Sequence, residues 1–198
     1  IPATLSLGMS GYPIAHSDVG GYTTIMHMNR SKELLMRWEE MNVFSPLFRS
    51  HEGNQPTKNA QFDDDDELLA QLKKCTDMHI ALKPLLKELE CEAVENGTHV
   101  MRPLFYHYDE EKAYDEKTEY LLGSDVLVAP VYVENGKNAK GNLGRKVYLP
   151  KDNWIHVFSG KEFGSGEFEI DSPIGKPPVF VKKGSKWEKL FEGAAFRS

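Results

Sequence analysis

Two hydrophobic periods divide the chain near residue 100. From Pro2 to Gly97 apolar positions recur mostly at helical spacing, interrupted by short segments bearing Gly and Pro. Over residues 32–41, Leu34, Leu35, Trp38 and Met41 fall on one face, with Ser31 placed to cap the helix. A second helical pattern runs through Leu68, Leu69, Leu72, Cys75 and Met78, continues past Pro84 through Leu85, Leu86 and Leu89, and stops at Asn96-Gly97. After residue 100 the period falls to two. Short β-rich runs are predicted over 100–107, 121–133, 146–149, 154–158, 168–170 and 178–181, with turn residues such as Asn135-Gly136, Ser159-Gly160 and Gly164-Ser165-Gly166 between them. Val126-Leu127-Val128-Ala129 is apolar on both faces and is predicted to be a central strand. A helical half followed by an all-β half implies two structural units, residues 1–99 and 100–198, the second an antiparallel sandwich.

Composition narrows the function classes. The 198 residues allow one large domain or two small ones. A net charge of -6 argues against a nucleic-acid binder, which needs a concentrated basic face. No apolar run reaches the ~18 residues of a membrane span. Cys75 and Cys91 lie sixteen positions apart in the helical stretch, ~24 Å along a straight helix, so both are expected as free, buried thiols. Asp63-Asp64-Asp65-Asp66 lacks the spaced carboxylates and Gly of a calcium loop, and is read as the solvated first turn of a helix. The tripeptides Asn29-Arg30-Ser31 and Asn96-Gly97-Thr98 are acceptor-type sequons that matter only in a secreted chain.

Two segments carry the candidate chemistry. In residues 9–24 a short predicted strand runs into His16, Ser17 and Asp18, then the double glycine Gly20-Gly21, then Tyr22. In residues 44–54 the layout repeats: Phe44-Ser45-Pro46-Leu47-Phe48, then Arg49, His51, Glu52 and Asn54 in a loop. In a β/α barrel, polar groups at the C-terminal ends of strands face the active site. An Arg paired with a carboxylate beside a neutral His suits sugar hydroxyls or anions. Singly, each residue has a structural reading: Asp18 as an N-cap, His51 as an interior histidine, Tyr22 as an aromatic at a loop edge. Two strand–polar loop–helix units in succession favour a site. No Gly-rich phosphate loop, Cys/His metal spacing or GxSxG elbow is found, and no cofactor is expected.

These motifs resemble family 31 glycoside hydrolases. Asp18-Val19-Gly20-Gly21-Tyr22 is similar to that family's Asp-Ile-Gly-Gly-aromatic motif, and residues 38–51, with Phe44-Ser45-Pro46 and Arg49-x-His51, are similar to the helix and strand that follow. Residues 97–105, the run 121–131, Val147-Tyr148-Leu149-Pro150, and Pro178-Val179-Phe180-Val181 with Gly184-Ser185 resemble its β-domain. The resemblance implies α/β plus all-β architecture: the last strands and helices of a (β/α)8 TIM barrel, incomplete over 1–99, then an antiparallel β-sandwich. Within the family, residues 16–24 and 49–54 look most like sulfoquinovosidases, with an α-glucosidase as the alternative and a non-catalytic carbohydrate-binding or scaffold protein as a third reading.

For the subgroup the resemblance implies that Tyr22 helps bind the sulfonate, that His51 bonds the sugar ring, and that Asp18 lines or braces the pocket, with His16, Arg49 and Glu52 in support. An Arg and a Trp from earlier in such enzymes also recognise the sulfonate. The family's retaining mechanism uses two carboxylates. The resemblance places them on the fourth and sixth barrel strands, outside this sequence. Asp18 and Glu52 match supporting positions and neither catalytic segment. The opening Ile1-Pro2-Ala3-Thr4, without Met or signal peptide, reads as a start partway through an element. The expected partners are therefore an α-sulfoquinovoside or α-glucoside and the missing N-terminal part of the same enzyme, and the chain alone is expected to be inactive.

Overall fold

The computed structural model describes residues 1–26 and 28–197. Four helices come first: α1 (Pro2–Met9), α2 (Lys32–Val43), α3 (Asp66–Ala81) and α4 (Lys83–Asn96). The Ser31 side chain caps α2 by accepting from Leu34 N–H at 3.2 Å. Asp65 does the same for α3, accepting from Leu68 N–H at 2.9 Å, and its carboxylate also meets Lys32. The aspartate run is thus a helix start, as its position beside the positive end of the dipole predicts. Gly97, at φ +68°, closes α4 in the left-handed region.

The long helix predicted over residues 66–95 is two helices. It breaks at Leu82, because Pro84 has no N–H to continue the ladder and sits instead in the first turn of α4, where none is needed. The cysteines also divide: Cys75 is buried against the core, whereas Cys91 is exposed on the outer face of α4.

From Met101 on, eight strands form two antiparallel layers. They are β1 (Met101–Arg102), β2 (Tyr120–Leu122), β3 (Val126–Val128), β4 (Gly144–Leu149), β5 (Trp154–His156), β6 (Glu162–Phe163), β7 (Gly166–Asp171) and β8 (Val179–Lys182). Six make one sheet in the order β1-β2-β3-β8-β5-β6, with β3 inside it as its two-sided apolar pattern predicts; β4 and β7 form a separate ribbon. A 3-10 turn (Leu104–Tyr106) ends the first predicted run early. A five-residue helix, α5 (Glu111–Asp115), intervenes before β2, and α6 (Glu188–Phe191) and α7 (Ala194–Arg197) end the chain.

Alternation along the strands gives the sheet two cores. Leu121, Leu127, Trp154 and Phe180 point to the β4–β7 ribbon and pack with Val147, Leu149 and Ile170. Tyr120, Leu122, Val126, Val128, Val179 and Val181 point the other way and pack with Cys75, Met78, Leu82, Leu85, Leu86 and Leu89 from α3 and α4. The helical half therefore buries its apolar face directly on the sheet.

The strands expected to lead into His16 and Arg49 are absent. Among the described residues no strand precedes Met101 and no closed barrel is formed. One backbone bond links residues 13–19 to 43–49, from Val19 N–H to the Arg49 carbonyl at 2.8 Å. A parallel pair needs evenly repeated bonds, and one bond does not make a strand.

Candidate active site

Helix α2 holds both candidate segments. At its C-terminal end the Tyr120 hydroxyl, from β2, reaches the Met41 and Phe44 carbonyls at 3.2 and 3.1 Å, and His79 Nδ1 meets the Val43 carbonyl at 2.8 Å. These contacts satisfy carbonyls that a helix end leaves open. They also fix where residues 45–49 depart. Ser45 Oγ lies 2.8 and 2.7 Å from the Asn42 and Leu47 carbonyls and shapes that exit. From the body of α2, Trp38 Nε1–H donates to Ser17 Oγ at 2.8 Å, and Asn42 Nδ2–H donates to the Ser17 carbonyl. One helix thus sets the chain on either side of the site.

The two loops then run side by side in parallel. Arg49 meets Asp18 Oδ1 through Nη2 at 3.2 Å and Nε at 3.3 Å. Arg49 is 59% exposed, so the pair contributes at most about 1 kcal/mol and serves mainly to orient its two groups. Past Asp18, Gly20 and Gly21 both lie at φ +80°, and Gly21 N–H closes the turn on the Asp18 carbonyl at 2.9 Å. A Cβ at Gly20 would stand 2.5 Å from Arg30 Cδ, so both backbone angle and space require glycine there.

The turn delivers Tyr22 to His51. Their ring centroids are 4.7 Å apart at an interplanar angle of 54°. Tyr22 is 48% exposed and His51 is also exposed, which leaves the phenol and imidazole edges available to a ligand. Gly53 N–H donates to the Tyr22 carbonyl at 2.9 Å. Thr24 and Asn54 exchange two bonds: Thr24 N–H to Asn54 Oδ1 at 2.8 Å, and Asn54 Nδ2–H to the Thr24 carbonyl at 2.9 Å.

Glu52 is not free to act. Its Oε2 pairs with Arg30 Nη2 at 2.8 Å, and its Oε1 accepts from Asn59 Nδ2 at 3.0 Å. Burial pushes this carboxyl up, but the bonds from Asn59, Arg30 and Gln61 outweigh it and hold it below the usual glutamate value. His16 stands apart from these pairs: it is half-buried, and its Nδ1 is enclosed without a hydrogen-bond partner. A cleft of about 490 Å³ lies elsewhere, between α2 and residues 130–134, walled by Leu34, Trp38, Met41, Val131 and Tyr132. None of the six candidate residues lines it.

The structure thus brings Asp18 to Arg49 and Tyr22 to His51, and engages Glu52 with buried Arg30 and Asn59. Arg30, Thr24 and Asn59 were not singled out from sequence. They lie 7 to 35 positions from their partners, and no local spacing marks them. Chemically, an exposed phenol, an imidazole and a guanidinium–carboxylate pair supply donors and acceptors for sugar hydroxyls or an anion.

Residues 1–89 match the glycosyl hydrolases family 31 TIM-barrel domain, and residues 97–185 match the glycosyl hydrolase family 31 C-terminal domain. The chain belongs to glycoside hydrolase family 31. Among its relatives, a sulfoquinovosidase from Escherichia coli strain K12 is 48% identical over 96% of this chain, and one from Agrobacterium fabrum is 42% identical over 97%. Alpha-glucosidase 2 of Bacillus thermoamyloliquefaciens is 32% identical over 93%. A solved family 31 sulfoquinovosidase from E. rectale, in complex with the aza-sugar inhibitor IFGSQ, superposes with a TM-score of 0.88 at 41% identity, over 96% of this chain and 28% of that one. The chain spans 27% and 28% of the length of the two sulfoquinovosidase relatives. No helix among the described residues is long and apolar enough to cross a membrane.

Proposed function

We propose that this chain forms one wall of the sugar site in a retaining α-glycoside hydrolase acting on α-sulfoquinovosides. The observation that carries this reading is the exposed Tyr22–His51 ring pair, set behind the Asp18–Gly21 turn. In this reading the phenol donates to a sulfonate oxygen and the imidazole to a ring hydroxyl, with Asp18 and Arg49 bracing the same edge. The resemblance to sulfoquinovosidases favours the sulfonated sugar, and the α-glucosidase relative keeps a plain α-glucoside as the second reading. Residues 1–99 act as the barrel portion and 100–198 as the sandwich that backs it.

The chain by itself does not turn over substrate. Double displacement needs a nucleophilic carboxylate and a proton-donating one flanking the bond. Asp18 is engaged by Arg49, and Glu52 by Arg30 and Asn59. Its partner is the remainder of a family 31 barrel carrying both carboxylates. The test is hydrolysis of an aryl α-sulfoquinovoside and an aryl α-glucoside, by this chain alone and by the product of the complete reading frame that encodes it. The expected result is no turnover by the chain and preference for the sulfonated substrate by the longer protein. Turnover by the verified 198-residue chain, or preference for the plain glucoside, would overturn the corresponding part.

A further inference from the structure

Arg30, Glu52 and Asn59 form a closed, largely buried network directly behind the exposed ring pair. Arg30 and Asn59 are each 6% exposed. Arg30 N–H donates to Asn59 Oδ1 at 2.9 Å, Asn59 Nδ2–H to Glu52 Oε1 at 3.0 Å, and Arg30 Nη2–H to Glu52 Oε2 at 2.8 Å. Arg30 Nε and Nη2 also donate to the Ala60 carbonyl at 2.9 and 2.7 Å. The network reaches both loops. Asn59 Oδ1 and Nδ2 meet Thr24 Oγ1 at 3.0 and 2.8 Å, two residues past Tyr22. Glu52 follows His51 directly, and the Arg30 stem fills the space left by Gly20 in the turn that aims Tyr22.

We infer that Arg30, Glu52 and Asn59 are positioning residues that set the Tyr22–His51 spacing, and so the selectivity, of the sugar site. The inference rests on the reading of that ring pair as the sugar-binding edge. Glu52 is an acceptor with both oxygens facing donors: Asn59 on one, Arg30 and more distantly Gln61, at 3.5 Å, on the other. A glutamine there has one oxygen and one NH2, so whichever way it turns, a donor faces a donor. The carboxylate therefore acts through its polarity, beyond its volume.

The experiment follows the proximity of the two rings without any sugar, as the nuclear Overhauser contact between Tyr22 and His51 in the 198-residue chain. Glu52→Gln is expected to abolish the contact while the amide spectrum of the β-half is retained. The double variant Glu52→Gln/Asn59→Asp turns the facing donor into an acceptor and is expected to restore it. An undiminished contact in Glu52→Gln overturns the inference, as does a contact that stays lost in the double variant. If Glu52→Gln does not fold, Thr24→Val replaces it, since it removes the hydroxyl through which Asn59 of the network reaches the Tyr22 loop. Loss of the contact there supports the inference and persistence overturns it. In the longer enzyme, Glu52→Gln is expected to raise KM about tenfold with little change in kcat, the split that a displaced binding edge produces. The sugar reading stands or falls separately, on the hydrolysis assay, because the ring contact is read in the absence of ligand.

Discussion

Gly53 donates its N–H to the Tyr22 carbonyl at 2.9 Å, and a Cβ at Gly53 would stand 2.6 Å from that same oxygen and 2.9 Å from Tyr22 Cζ. The loop bearing His51 can lie this close to Tyr22 only because residue 53 has no side chain. Gly53→Ala is expected to push the loops apart and destabilise the fold by about 1–3 kcal/mol, the range of an overpacked contact. Thermal unfolding measures the loss, and the Tyr22–His51 contact should weaken in parallel.

Replacing Tyr22 with Phe keeps the ring against His51 and removes only the hydroxyl. In the longer enzyme this should lower kcat/KM for an aryl α-sulfoquinovoside about tenfold or more, the scale of a hydrogen bond to a charged group. The plain glucoside should be nearly unaffected. Equal losses for both substrates would remove the assignment of Tyr22 to the sulfonate.

Arg37 ties α2 to the β-half. Its Nη1 pairs with Glu40 Oε2 at 2.9 Å and its Nη2 donates to the Ser172 carbonyl at 2.9 Å, while Glu40 Oε1 accepts from Gly175 N–H at 2.5 Å. Burial pushes the Glu40 carboxyl up to about 6 even with this partner. Arg37→Met strands that carboxylate and should cost about 3–5 kcal/mol. Arg37→Met/Glu40→Leu should recover much of it, because the stranded charge is gone; denaturant titration of both variants makes the comparison.

His156 gives the chain an acid-sensitive point outside the site. Burial, with a smaller contribution from Lys161, pushes its imidazole down to about 4. Between pH ~6.5, where an unfolded histidine protonates, and pH 4, the unfolded chain binds one proton more than the folded one. Stability contributed by the neutral ring is therefore full above that window and falls as pH drops through it, by up to about 3 kcal/mol. His156→Gln should flatten the dependence over pH 4–6.5 in chemical unfolding curves. An unchanged slope would place the acid sensitivity in another group.

Much of the architecture was legible because local rules agreed with the tertiary outcome. Ser31 and Gly97 mark helix ends by chemistry that acts within three residues, and the unbroken apolar run Val126–Ala129 is the mark of a strand covered on both faces. Pro84 is ambiguous by period alone, because a proline past one helix end and inside the first turn of the next has the same pattern as a kink in one long helix. Cys91 shares its helical stretch with Cys75, and only the rotation of α4 on the sheet placed it outside.

The candidate site was legible in membership but not in roles. Asp18, Tyr22, Arg49 and His51 announced themselves as polar or aromatic groups after apolar runs and beside a double glycine. The same composition made Glu52 look equally available, and its engagement depends on Arg30, 22 residues away. The amino-acid sequence by itself determined the periods, the helix caps, the family motifs and the positive-φ turn at Gly20-Gly21, because each follows from steric and hydrogen-bonding preferences of neighbouring residues. Only the tertiary structure decided which guanidinium each carboxylate meets, exposed Arg49 for Asp18 and buried Arg30 for Glu52, because an ion pair depends on distance in space, which chain order leaves open until the backbone closes.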